Sequence, residues 1–139
     1  MDREVVEQKL ESLRRCIMRI NEKCPPTSKE LSKDQDIQDI LSLNLTRAVQ
    51  LSVDIGTHII SGMDIPPPNT MGQTFDILVE LNILDTVTAI QLKKAVGFRN
   101  IAVHNYETIN WDIVYAIATE YLKDFTCFAK SMIKVLEND

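Results

Sequence analysis

Four glycines, three cysteines and two histidines are all that 139 residues contain of the residue types on which many small catalytic motifs depend. With so little glycine there is no Gly-x-x-x-x-Gly-Lys or Gly-x-Gly-x-x-Gly loop, so the familiar backbone cradles for nucleotide phosphates are excluded. The Gly-x-Ser-x-Gly turn of a serine nucleophile is missing too. Cys16, Cys24 and Cys127 are odd in number and form no Cys-x-x-Cys pair. They read as buried or idle thiols of a reducing compartment, not as a disulfide framework. His58 and His104 enter no His-x-x-His or His-Glu-x-x-His spacing, which leaves no metal and no cofactor expected. Long apolar runs are lacking as well. The N-terminal MDREVVEQKLESLRR is charged from its second residue and fits neither a secretory signal nor a membrane span, so a cytoplasmic protein is expected. Positive charge is in deficit, with a formal net charge of -5 and a sequence pI near 5.0. A nucleic-acid role would therefore need a local basic patch.

What the chain does have is helical periodicity. Hydrophobic residues make up 45% of it, enough for one core, and a single domain over 1–139 is expected. Val6, Leu10, Leu13, Ile17 and Ile20 alternate gaps of four and three, the stripe of an amphipathic helix that stops at Cys24-Pro25-Pro26. A second stripe runs from about Asp34 to Ser61 through Ile37, Leu41, Leu45, Ala48, Leu51 or Ser52, Ile55 and Ile59, with Gly56 its only weak helix former. Pro66-Pro67-Pro68-Asn69 turns the chain. Thr70-Met71-Gly72-Gln73 has capping-box spacing and opens a short helix to about Leu81. Asp85 reads as the N-cap of a helix carrying Val87, Ile90 or Leu92, Val96 and Val103 inward. Asn110 caps a last long helix through Val114, Ile117 or Ala118, Tyr121, Leu122, Phe125, Phe128 or Ala129, Met132, Ile133 and Leu136. With no strand alternation and no solenoid repeat, the class is all-α: an up-and-down bundle of four main helices plus one short one.

Several polar residues have plain readings. His58 lies beside the buried stripe of the second long helix as a structural or boundary histidine. Arg14, Arg15 and Arg19 belong to a solvated face of the first helix, and Arg47 is similar. The concentration that asks for a chemical reading is Arg99-Asn100-Ile101-Ala102-Val103-His104-Asn105-Tyr106, with Lys93 and Lys94 less than two turns before it. Arg99 and His104 stand about 140° apart around a helix and roughly 7.5 Å along it. They can converge only if the helix ends near His104, and the polar Asn105, Glu107, Thr108 and Asn110 suggest that it does. Such a group suits transesterification of an RNA phosphodiester. A base removes the ribose 2′-hydroxyl proton, an acid protonates the 5′-leaving oxygen, and a cation steadies the phosphorane. Histidine can take either proton role near neutral pH, and arginine offers a planar fork of donors. One histidine cannot be acid and base in the same step, so a homodimer bringing two Arg99/His104 pairs together would supply the second.

Arg-Asn-x-x-x-His at a helix end, followed by x-Tyr in an all-α chain, resembles the HEPN superfamily, whose shared motif is Arg-x(4 to 6)-His. The added tyrosine is similar to the HepT branch, the toxin partners of minimal nucleotidyltransferase (MNT) antitoxins. Pro67-Pro68-Asn69-Thr70, Leu81-Asn82-Ile83-Leu84-Asp85 and Tyr106-x-x-Ile109-x-Trp111 extend the resemblance over most of the chain. It implies Arg99 and His104 as ribonuclease residues and Asn100 as the supporting polar residue beside them. Tyr106 would be the tyrosine that the antitoxin modifies with AMP. Lys93 and Lys94 are candidate RNA contacts. The resemblance further implies a homodimer with a composite cleft, metal-independent RNA cleavage and a toxin-antitoxin complex, with Mg²⁺ and ATP belonging to the antitoxin's reaction. The competing expectations are a non-catalytic helical module that partners a nucleotidyltransferase and binds nucleotide or substrate in the same groove, and a purely structural helical dimer.

Overall fold

A computed structural model of the chain describes residues 1–138. Among the described residues it is mostly helical, in seven α-helices and one short 3-10 turn. Asp2 caps α1 (Arg3–Lys23) by accepting from the Glu4 and Val5 backbone N–H groups. Asp34 caps α3 (Gln35–Ser61) through the Ile37 N–H, and Thr70 caps α4 (Met71–Glu80) through the Gln73 N–H. The Gln73 side chain reaches back to the Asn69 N–H, closing the expected capping box one residue early. Asp85 and Asn110 cap α5 (Thr86–His104) and α6 (Trp111–Thr119) as the sequence predicts. These caps satisfy backbone donors that the first turn of a helix leaves without partners.

The antiparallel α1 and α3 pack along the greatest shared length, and their two stripes form the middle of the core. Val6, Leu13, Ile20, Leu41, Leu45, Ala48 and Ile55 are fully buried. Gly56 has a packing reason: a Cβ there would stand 2.7 Å from Thr74 Cγ2 and 3.1 Å from Leu78 Cδ1, so its absence lets α4 lie against α3. From α4, Phe75 meets Phe128 of α7 (Leu122–Glu137) edge to face, with ring centroids 5.8 Å apart.

The all-α class and the up-and-down run of long helices stand, with differences of detail. A short α2 (Ser28–Lys33), capped by Thr27, bridges the first two long helices and buries Leu31. Six residues with one apolar anchor show no period, so the sequence gives no stripe there. The last helix is two. It breaks at Glu120 and Tyr121, whose N–H groups both bond the Ala116 carbonyl, without a proline or glycine to mark the place. The break lets α6 lie on α2 while α7 packs against α1, α3 and α5. It also turns Tyr121 outward, and Ile133 faces solvent where an inward position is predicted. On α5 the difference is larger. Val87, Ile90 and Val103 are 67%, 47% and 51% exposed, while Thr88, Ala89, Leu92, Ala95, Val96 and Phe98 face the core. Apolar residues occur around most of this helix, so periodicity alone does not select its buried face.

Candidate functional site

The site begins with how α5 ends. Asn105 leaves the helical region, with φ -154° and ψ 62°, and its N–H closes the last turn on the Ile101 carbonyl at 2.8 Å. A single 3-10 turn follows over Tyr106–Thr108, fastened by the Thr108 hydroxyl donating to the Asn105 carbonyl at 2.9 Å. Asn110 then starts α6. His104 is therefore the final helical residue, and its side chain is exposed.

Arg99 sits five residues earlier and turns toward α3. Its Nη2 donates to Gln50 Oε1 at 3.3 Å and its Nη1 to Asn100 Oδ1 at 3.1 Å, while Nε is buried with no acceptor. Gln50 is itself held by donating from Nε2 to Asp54 Oδ1 at 2.9 Å. No carboxylate neutralises the guanidinium among the described residues: both its partners are neutral amides. A buried donor without a partner costs about 1–3 kcal/mol. The fork is thus lightly held and keeps its full charge for an incoming anion.

The two lysines lie elsewhere. Lys93 Nζ grips both carboxylate oxygens of Asp76 on α4 at 3.1 Å. Lys94 lines a separate recess between α5, α6 and α7 with Tyr121 and Asp124. Helical geometry explains the dispersal. Six and five residues before Arg99 correspond to about 120° and 140° around the axis, so neighbours in sequence point to three different elements. The local basic patch expected from Lys93, Lys94 and Arg99 does not form on one face of this chain.

Tyr106 is 39% exposed and its ring meets Trp111 edge to face at 5.9 Å. Its hydroxyl donates to Asp39 Oδ1 at the start of α3, 67 residues away in sequence. Partial burial and then the Asp39 carboxylate push the phenol well above its usual ionisation range. The group is a neutral hydroxyl with a proton acceptor already in contact.

Sequence reasoning misses Asp39, Gln50 and the other face of α3. Between α1 and α3 lies an open groove of about 750 Å³ lined by Arg15, Arg19 and Arg47 and reaching Gln50. The signal was present in part, since Arg15 and Arg19 are four apart, and so are Leu43 and Arg47. Nothing local indicates that two separate helices would bring their arginines into one groove. Asn100 is exposed, and among the described residues its side chain bonds only Arg99. Among the described residues no three His, Cys, Asp or Glu side chains gather as a metal site, and no helix is long and apolar enough to cross a membrane.

Comparison with known proteins gives consistent matches. A family model described as ribonuclease HepT-like matches residues 13–132. The mRNA nuclease HepT of Shewanella oneidensis is 34% identical over 125 residues, which cover 90% of this chain and 93% of that protein. A tri-AMPylated Shewanella oneidensis HEPN toxin, solved in complex with its MNT antitoxin, superposes with TM-score 0.86 at 32% identity. The match covers 97% of this chain and 99% of that one. A toxin-antitoxin crystal structure with AMP-PNP matches with TM-score 0.87 at 32% identity, over 95% of this chain and 98% of the other. The cytosolic protein YutE of Bacillus subtilis shares the fold at TM-score 0.86 and 18% identity, over 99% of this chain and 92% of that one.

Proposed function

The chain belongs to the ribonuclease HepT-like family, and from that membership we propose that it is the toxin of a toxin-antitoxin pair, an endoribonuclease cleaving RNA at Arg99 and His104. The observation that carries the residue assignment is the end of α5 at His104. It leaves an imidazole in solvent at a helix terminus while Arg99, on the same helix, holds an unneutralised guanidinium against α3. The reaction class follows from these groups. An imidazole accepts the ribose 2′-hydroxyl proton, the 2′-oxygen attacks phosphorus, and an imidazolium protonates the departing 5′-oxygen. Arg99 bonds the phosphorane oxygens as their charge grows. Asn100 keeps the guanidinium plane in place from the adjacent position.

The chain has one histidine at this site, and the second proton carrier comes from a second copy. Support lies on the outer side of α5, where Val87, Ile90 and Ile101 are exposed and Gly97 has open space above it. Spaced at three and four, these residues with Lys94 and His104 form one stripe, suited to packing against its own symmetry mate with both histidines at the resulting cleft.

Tyr106 is the off switch. A nucleotidyltransferase antitoxin of the MNT class transfers AMP from ATP to its hydroxyl, with pyrophosphate as the leaving group. Each AMP brings about one negative charge and a base two residues from His104, occupying the space RNA would use and competing with it for Arg99. Expression of the chain alone should arrest growth. Co-expression with the cognate nucleotidyltransferase should relieve the arrest and raise the intact mass in AMP increments that Tyr106→Phe abolishes. Absence of the increment, or its persistence in Tyr106→Phe, removes Tyr106 from the account. Harmless expression with Arg99 and His104 intact favours the non-catalytic module.

A further inference from the structure

The groove between α1 and α3 has no role in the reading above, although its chemistry is the reverse of the molecule's. The net charge is -5, yet the groove lining contains three arginines and no carboxylate. Their charges are poorly neutralised from outside it. Arg14, which faces away, takes both oxygens of Glu11 at 2.6 and 3.0 Å, leaving Arg15 a contact of 3.5 Å to the same carboxylate. Arg19 reaches Glu22 only at 3.8 Å. Arg47 has no acidic partner among the described residues. It lies near enough to the buried Cys16 thiol to oppose, electrostatically, the upward push that burial gives that thiol. Arg47 and Cys16 both line the groove.

The floor is Cys16, Ile40, Leu43 and Leu51, with Leu43 49% exposed. From Ile40 to Gln50 the trough follows α3 for about 15 Å. Its far end is Gln50, whose Oε1 accepts from Arg99. The groove and the proposed cleavage residue therefore share a side chain.

We propose that this groove holds the sugar-phosphate backbone of single-stranded RNA and feeds it to Arg99, with Arg15, Arg19 and Arg47 each bonding phosphate oxygens. The proposal rests on the ribonuclease reading and adds to it the path of the substrate. Charge complementarity selects the occupant, since three forks with unfilled donors suit a polyanion. No aromatic ring lines the trough, so bases have nothing to stack on. Recognition there is of phosphate and ribose, independent of sequence and strongly dependent on salt. A net acidic protein thereby gains a local basic track without a basic composition.

The test uses full-length protein carrying His104→Ala, so that RNA is bound and not cut, and a fluorescent oligoribonucleotide as probe. Arg15→Gln, Arg19→Gln and Arg47→Gln should each weaken binding several-fold and flatten the dependence of log affinity on log salt by about 0.7 per arginine, the value for one lost single-strand phosphate contact. Lys130→Gln, in the separate recess between α1 and α7, should change neither. With His104 restored, the same variants should raise KM for the oligomer and leave kcat and the cleavage of a dinucleotide unchanged. Parental affinity and salt slope in all three variants would overturn the proposal. So would loss of dimerisation or antitoxin binding with RNA affinity intact, which would make the groove a protein contact. If parental protein neither binds nor cuts RNA, the ribonuclease reading itself fails, a result distinct from parental protein cutting RNA with indifferent groove variants.

Discussion

At the scale of the residue, the pairing of Tyr106 with Asp39 divides the labour of the Arg99 to Tyr106 stretch. A phenol whose ionisation is pushed upward is a poor spontaneous nucleophile, but the Asp39 carboxylate that contributes to the shift also accepts its hydrogen bond. In the proposed modification the same carboxylate can take the proton as the oxygen attacks the α-phosphorus of ATP and pyrophosphate leaves. Asp39→Asn should therefore bring Tyr106 ionisation down toward the ordinary tyrosine range in an absorbance titration, while slowing AMP addition by about tenfold or more. Faster addition in that variant would show that lowering the phenol's pKa matters more than holding an acceptor beside it. Tyr106 and its neighbours were legible in sequence because they are contiguous. Asp39 and Gln50 were not, because each meets its partner only after about 50 residues or more have folded back.

Elements were legible where caps and periodicity agree. Asp85 illustrates this, with one carboxylate oxygen on the Thr88 N–H at 2.9 Å and the other on the Thr88 hydroxyl at 2.7 Å. Those bonds hold its carboxyl below the usual range. Replacing it by alanine should cost about 1 kcal/mol in denaturant unfolding, with the loss greatest above the ordinary carboxylate pKa and fading as pH falls through the depressed folded value. Asp124 behaves oppositely. It is buried on α7 with Oδ2 lacking a partner, and burial pushes its carboxyl up, opposed by the charge of Lys123 and reinforced by repulsion from Asp85. A raised folded value contributes stability below the unfolded pKa, lost as pH rises through the folded one. Asp124→Asn should raise Tm at pH 7, with the gain shrinking as pH falls toward about 4. An equal gain at both pH values would show that charge is not its cause. Where periodicity fails, as on α5, the sequence leaves the buried face undecided. The α6 to α7 break carries no Pro or Gly, so its origin is tertiary: the two segments rest on different neighbours.

At the scale of the molecule, the outward stripe of α5 unites fold and function. Val87, Ile90 and Ile101 left in solvent expose apolar area that a second copy would bury, at about 25 cal/mol per Å² removed from water. Ile101→Glu should leave helicity intact, convert the proposed dimer to monomer in sedimentation, and lower the proposed RNA cleavage by at least tenfold, since the second histidine departs with the second copy. A fully active monomer would separate catalysis from dimerisation. The single histidine at the site is what suggests a second copy from sequence, whereas the proposed contact face rests on which side of α5 the core takes.

The central claim is that Arg99 and His104 cut RNA. Purified chain, free of antitoxin and unmodified at Tyr106, should be incubated with RNA in excess chelator beside folded Arg99→Ala and His104→Ala variants. The account predicts cleavage by the parent and at least a hundredfold loss in each variant, the scale expected for removing a general acid-base or a charge-stabilising group. Parental rates in His104→Ala would contradict it.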